Sequence, residues 1–273
     1  MERQRPAAPL YCFVILIAML VLLYFPLFYM MLGSVLEKTE TGVTLTLRWY
    51  REVFADSVMQ EALGRSLMIA IGNACVSTVL GAMAAIALLR SQFRFKVGLE
   101  TLSLISLVMP ELVFALSLLS WFFILHFDLS LMTVMIAHVS FTLSFVIFTV
   151  SSRLAAMDHS LDEAAQDLGA NEWVVLRRVT LPLLKPALGT AFILCFLMSF
   201  DDFLITFFTS GVGSDTLPIK LYAAMKLGHT PKLNALSTLM ILFSVTLIIF
   251  VVRSKSFRDV LLSSDSSPQD EST

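Results

Sequence analysis

Apolar residues along this chain fall in long, nearly unbroken runs separated by short polar stretches. Six runs are long enough to cross a hydrocarbon core of roughly 30 Å, which takes about 20 helical residues. They lie near 10–35, 66–89, 101–125, 130–151, 187–209 and 233–252. Backbone polar groups in lipid must be satisfied inside their own segment, so each run is expected to be a helix. The expected fold is all-α, a polytopic membrane protein with six transmembrane helices. The first run follows Arg3 and Arg5. It is longer than the roughly 7–15 residues of a signal-peptide core, and no small-x-small cleavage site follows it, so it reads as a retained span.

The polar stretches between runs carry the orientation. Twelve of the 19 Lys and Arg residues alternate onto one side: Arg3, Arg5, Arg90, Arg94, Lys96, Arg153, Arg177, Arg178, Lys185, Arg253, Lys255 and Arg258. The connection around His126 to Asp128 has none, whereas Lys220, Lys226 and Lys232 run against the trend. Both termini are therefore expected on the cytoplasmic side. The outer loop at 37–65 contains Arg48-Trp49-Tyr50, a headgroup-seeking cluster that suggests a short interfacial helix. The Ser/Asp/Glu-rich end, 253–273, reads as a disordered tail. The division expected is 1–36, a first helix; 37–65, an external loop; 66–252, a transmembrane domain; and the tail.

Composition places the chain well inside the membrane class. Over 273 residues, 57% are hydrophobic and 15% charged, against roughly 25% charged in a soluble domain; mean hydropathy is +0.83. A net charge of -2 gives no sign of nucleic acid. Cys12, Cys75 and Cys195 lie in apolar runs, where a free thiol acts as a small hydrophobe. His126, His138, His159 and His229 form no ligand-spaced cluster, so no metal is expected. A lone membrane histidine such as His138 is expected to hydrogen-bond across helices, and Gly72 and Gly81 to permit close helix packing.

One cytosolic connection, about 153–186, has internal structure. Leu161, Ala164, Ala165 and Leu168 stand at i, i+3, i+4 and i+7, which makes one apolar stripe on a two-turn helix. Ser160 and Glu163 have capping-box spacing. Gly169 can take the left-handed conformation that stops a helix, and Asn171 can cap a second one carrying Trp173 and Leu176. On composition alone the plainer reading is a helix lying against its own bundle. Yet two adjacent alanines bury little area and suit close approach of another surface.

Carboxylates inside the runs are the second feature. Glu111 falls in the third run and Asp201-Asp202 in the fifth, where an ionisable group costs about 2.5–3.5 kcal/mol and marks a pathway by default. Counting about 1.5 Å per residue from the cytosolic ends puts both near 20 Å depth. Pro110 can open the helix beside Glu111. Adjacent residues diverge by about 100° in a regular helix. Asp201 and Asp202 therefore divide their roles, or the fifth span ends early and both face water. Three acids without an intramembrane Lys or Arg favour a cationic ligand.

The residues of the cytosolic connection resemble a known signature. Glu163-Ala164-Ala165, Gly169, Val179 and Leu181-Pro182 have the spacing of the loop found in ABC importer permeases of the type I, MetI-like fold. The resemblance implies coupling helices that dock on a partner ATPase dimer, with Glu163, Ala164, Ala165, Gly169, Leu181 and Pro182 as coupling residues. The chain has no Walker-type phosphate loop, so ATP and Mg would reside on that partner and the chain would not be an enzyme. Further stretches, Pro110-Glu111-Leu112-Val113, Ser199-Phe200-Asp201-Asp202-Phe203, Thr216-Leu217-Pro218-Ile219-Lys220-Leu221-Tyr222 and Asn234-Ala235-Leu236-Ser237-Thr238, resemble permeases of spermidine/putrescine importers. That family more often has Asp where this chain has Glu111.

The resemblance implies a bacterial inner-membrane subunit with a second homologous permease, an extracytoplasmic polyamine-binding protein, membrane lipid and a polyamine as partners, and no nucleic acid. Glu111, Asp201, Asp202 and Tyr222 would line the substrate pathway, the tyrosine through cation–π attraction. The rival reading is an ion-coupled secondary transporter using Glu111, Asp201 and Asp202. An intramembrane enzyme has no activated-nucleophile motif to support it.

Overall fold

The computed structural model describes residues 10–39, 42–90, 94–158, 160–228 and 230–253. Arg3, Arg5, Lys255, Arg258, His159, His229 and the tail expected to be disordered lie outside the described residues.

Helix dominates, as the continuous apolar runs require. The elements are α1 (Leu10–Val35), β1 (Leu36–Thr39), β2 (Gly42–Leu45), α2 (Arg48–Ala55), α3 (Ser57–Arg90), α4 (Lys96–Val108), α5 (Glu111–Ile124), α6 (Leu131–Ala155), α7 (Ser160–Asp167) and α8 (Glu172–Val175). A π turn (Leu176–Thr180) leads into α9 (Leu181–Phe200), followed by α10 (Leu204–Thr209), α11 (Leu217–Leu227) and α12 (Pro231–Arg253). Among the described residues five helices are long and apolar enough to span a membrane, six if α4 and α5 count as one bent span.

The chain divides into two compact units, residues 1–59 with 221–243 and residues 60–220 with 244–273. In the first, the span Tyr11–Val35 has none of its most apolar window buried. A helix apolar on every side needs an apolar solvent, which lipid supplies. The Ser34 hydroxyl lies 2.7 Å from that of Tyr50. Lys232 reaches Asp56 at 2.6 Å. A short helix, α2, forms at the Arg48-Trp49-Tyr50 cluster. A small antiparallel hairpin, Leu36 opposite Leu45, precedes it and was not expected.

The second unit is built on α3, α6 and α9. A Cβ on Gly72 would meet Met135 Cε at 2.5 Å, and one on Gly81 would meet Val146 Cβ at 2.5 Å. These glycines therefore let α3 close onto α6. The approach brings buried polar groups together: Asn73 Nδ2 donates to Cys195 O at 3.1 Å, and the Ser77 and Thr142 hydroxyls both reach Asn73 Oδ1. Each polar atom thereby gains a partner that lipid could not provide.

Several boundaries differ from the sequence reading. The second span begins at Ser57 rather than 66, because Gln60, Glu61 and Arg65 lower the hydropathy of its first turns without breaking the helix. The third is broken: α4 and α5 meet at 114°. Pro110 has no N–H to continue the ladder and pushes Met109 into an extended conformation, ψ 132. The fifth ends at Phe200 rather than 209, with α10 as a separate short helix. Counting depth along straight helices therefore does not hold for Glu111 or Asp201.

Candidate functional site

The break between α9 and α10 is made by a side chain. Asp202 accepts the backbone N–H of Thr206 at 2.8 Å and that of Ile205 at 3.3 Å, holding the start of α10 while the ladder of α9 stops. The Thr206 hydroxyl also donates to Asp202 Oδ2 at 2.7 Å. Asp in this position competes with helix continuation. Asp202 is 8% exposed. Asp201, the last-turn neighbour, is exposed and accepts from Ser244 Oγ at 2.9 Å.

His138 of α6 closes this arrangement. Its Nε2 lies 2.9 Å from Thr206 Oγ1 and 3.2 Å from Asp202 Oδ2, and its Nδ1 lies 2.7 Å from Ser199 Oγ. Since the Thr206 hydroxyl donates to Asp202, its oxygen is left to accept, which makes Nε2 the donor to Thr206. The cross-helix bonding expected of His138 is present. Its place beside a carboxylate in the site was missed. Ser199 and Thr206, three residues before and four after Asp202, were the polar spacing that could have indicated it.

A cavity of about 400 Å³ lies against this cluster, lined among others by Glu111, His138, Ser199, Asp201 and Asp202. Glu111 is the first residue of α5, placed there by the Pro110 break. The structure thus brings together the three carboxylates singled out in the sequence, and none of the residues lining the cavity is Lys or Arg. Asp202 is committed to backbone and hydroxyl donors, while Asp201 is exposed and Glu111 half-buried. Tyr222 belongs to the other unit, where the Lys226 ammonium lies 4.7 Å from its ring centroid and covers one face.

The polar connection folds as a helix, a sharp stop and a second helix. Gly169 has φ +83, and Ala170 N–H reaches back to Ala165 O at 3.0 Å, so the left-handed stop forms where expected. Asn171 Oδ1 accepts from Val174 N–H at 2.9 Å and caps α8. Ser160 lies within α7 rather than before it, and its N–H is held by Asp158 Oδ1 at 2.9 Å. The apolar stripe is not laid on the chain's own bundle. Leu161 is 47% exposed and Leu168 90%, Ala164 is exposed and Ala165 half-buried. Glu163 and Trp173 are exposed as well. Leu181 and Pro182 open α9.

Bent spans around a membrane cavity, with a structured loop at one end, define the class: a multi-pass transport permease. Residues 77–257 match the family described as the binding-protein-dependent transport system inner membrane component, and the chain belongs to that family. It is similar to the spermidine/putrescine transport system permease protein PotC of Haemophilus influenzae, 36% identical over 83% of this chain and 89% of that protein. The putrescine transport system permease protein PotI of Escherichia coli (strain K12) is 39% identical over 71% of this chain and 72% of its own length.

Solved structures share the fold. A chain of a bacterial ABC transporter involved in import of the acidic polysaccharide alginate superposes with a TM-score of 0.62 at 17% identity, covering 90% of this chain and 97% of that one. A chain of the inward-facing MetNI methionine ABC transporter gives 0.57 at 16%, covering 72% and 96%. The all-α, MetI-like permease fold expected from the sequence is therefore the fold observed.

Proposed function

We propose that this chain is one permease subunit of an ATP-driven importer for a linear polyamine such as putrescine or spermidine. A separate ATPase dimer docks on the loop 160–182, a second permease completes the pathway, and an extracytoplasmic binding protein delivers the cation. The loop side then faces the cytoplasm and the membrane is the bacterial inner membrane. The observation that carries the substrate class is the acidic cavity, whose carboxylates have no Lys or Arg among the lining residues. An anionic site without a fixed counter-charge inside a membrane protein is stabilised when a cation enters it. The names of the PotC and PotI relatives support the same class.

Within the cavity, Asp201 and Glu111 bind the ammonium groups and Asp202 keeps the α9–α10 break in shape. The apolar stripe of α7 supports docking, since Leu161, Ala164 and Leu168 are exposed among the described residues. Testing requires the assembled transporter in proteoliposomes, with labelled putrescine and no ion gradient. Uptake that depends on ATP and falls at least about tenfold in Asp201→Asn is expected. Uptake driven by an ion gradient without ATP would establish the secondary-transporter reading instead.

A further inference from the structure

We propose that Arg90 is the tie through which the loop 160–182 moves α3, a positioning residue for transport that touches neither the substrate nor the ATPase. This rests on the docking reading above. Arg90 is the last residue of α3. Its Nη2 donates to Asp162 Oδ2 of α7 at 2.5 Å and to Thr180 Oγ1 of the π turn at 2.7 Å. The two acceptors stand on opposite arms of the loop, so one guanidinium holds both arms to the end of one span. A planar head with several fixed donors suits this joint better than a lysine point charge.

The surroundings make the joint more than a surface ion pair. Thr180 is fully buried, and the Arg90 and Asp162 side chains are only 31% and 21% exposed. The wider π turn places Thr180 inward while Arg177 and Arg178 stay exposed; such turns recur at functional positions. The second oxygen of Asp162, Oδ1, is buried without a hydrogen-bond partner among the described residues. A cavity of about 70 Å³, bounded by Arg90, Leu154, Asp158 and Asp162, borders the pair and gives the joint room to shift.

From Arg90, α3 runs to the buried Asn73 and Ser77, whose bonds reach Thr142 of α6 and Cys195 O of α9. Those two helices carry His138 and Ser199 at the wall of the acidic cavity. A displacement of α7 is thus delivered, through Arg90 and α3, to the helices that frame the candidate cation site.

Two measurements test the tie, using Arg90→Ala, Arg90→Asp and the exchanged pair Arg90→Asp with Asp162→Arg. In the full chain alone, in lipid nanodiscs, hydrogen exchange at the amides of α7 rises at least about fivefold in both single variants and returns toward wild type in the exchanged pair. Unchanged exchange in α7 overturns the proposal. In the assembled transporter, labelled putrescine uptake per ATP hydrolysed falls about fivefold or more in the single variants and recovers in the exchanged pair. A ratio that stays at the wild-type value, or an exchanged pair that recovers neither quantity, also overturns it, because a merely structural loss changes the number of active complexes and not the ratio. A wild-type complex that ignores putrescine while α7 exchange responds as stated would reject the transport reading and leave the tie standing.

Discussion

The acidic cavity and the polar loop handle unmatched groups in opposite ways. In the cavity the costly groups are polar, and the chain answers most of them itself: Asp202 takes three donors, and His138 spans Ser199 and Thr206. At the loop the unanswered groups are apolar, Leu161, Ala164 and Leu168, and the chain leaves them uncovered. A buried polar group must be satisfied at once or the fold fails. An exposed apolar stripe can wait for a partner. The chain therefore satisfies most of the cavity's polar groups itself and leaves the loop's apolar stripe exposed.

The largest effect expected from breaking this contrast is at the loop. Glu163→Lys should lower uptake by about 100-fold or more, the upper range for coupling between sites, while membrane insertion and the melting temperature stay at wild type. Next comes a paired comparison in the cavity. Asp202→Asn should cost about 1–3 kcal/mol of stability, because the amide no longer offers every donor an accepting oxygen. Asp201→Asn should cost under about 0.5 kcal/mol, as a more exposed site does, although uptake falls. Thermal unfolding in detergent separates them, and equal melting shifts would remove the distinction between cap and ligand.

Smaller still is Gly169→Ala. At φ +83 a side chain is strained even though nothing crowds it, so the substitution should cost about 1–2 kcal/mol locally. The expected result is looser amides at 165–170 and weaker ATPase co-purification, without global unfolding.

The smallest effect lies in the other unit. Its hydrogen bond with Lys232 holds the Asp56 carboxyl below its ordinary value. A lowered folded value means the contribution is present above the unfolded value of about 4 and is lost as pH falls through the folded one. This partly exposed pair is worth about 0–1 kcal/mol. Wild type should lose slightly more stability than Lys232→Met between pH 5 and pH 3, and parallel curves would contradict the assignment.

Continuous hydropathy made α1, α6 and α12 legible to within a few residues, because uninterrupted apolar runs have one solution in lipid. The fifth span was misjudged at both ends for physical reasons. Arg177, Arg178 and Lys185 depress hydropathy where the backbone runs unbroken from α8 through the π turn into α9, and Asp202 stops α9 inside an apolar run. Pro110 signalled an opening, yet the 114° bend depends on how α5 packs afterwards. The carboxylates were visible one by one. Their convergence, and the pairing of His138 with Asp202, required α6 to be placed beside the α9–α10 break. The loop read most faithfully, since Gly169 and Asn171 act through local geometry alone. Arg90 was visible only as a charge that set orientation.

Docking of α7 on a separate ATPase is tested most directly by a cysteine at Ala165 in the assembled complex, with Cys12, Cys75 and Cys195 replaced by alanine. Treatment with a short bifunctional thiol–amine reagent should join this chain to the ATPase subunit, and a cysteine at Leu125, just after α5, should not. A cross-link formed only to this chain's own helices, with none to the ATPase, would contradict the account.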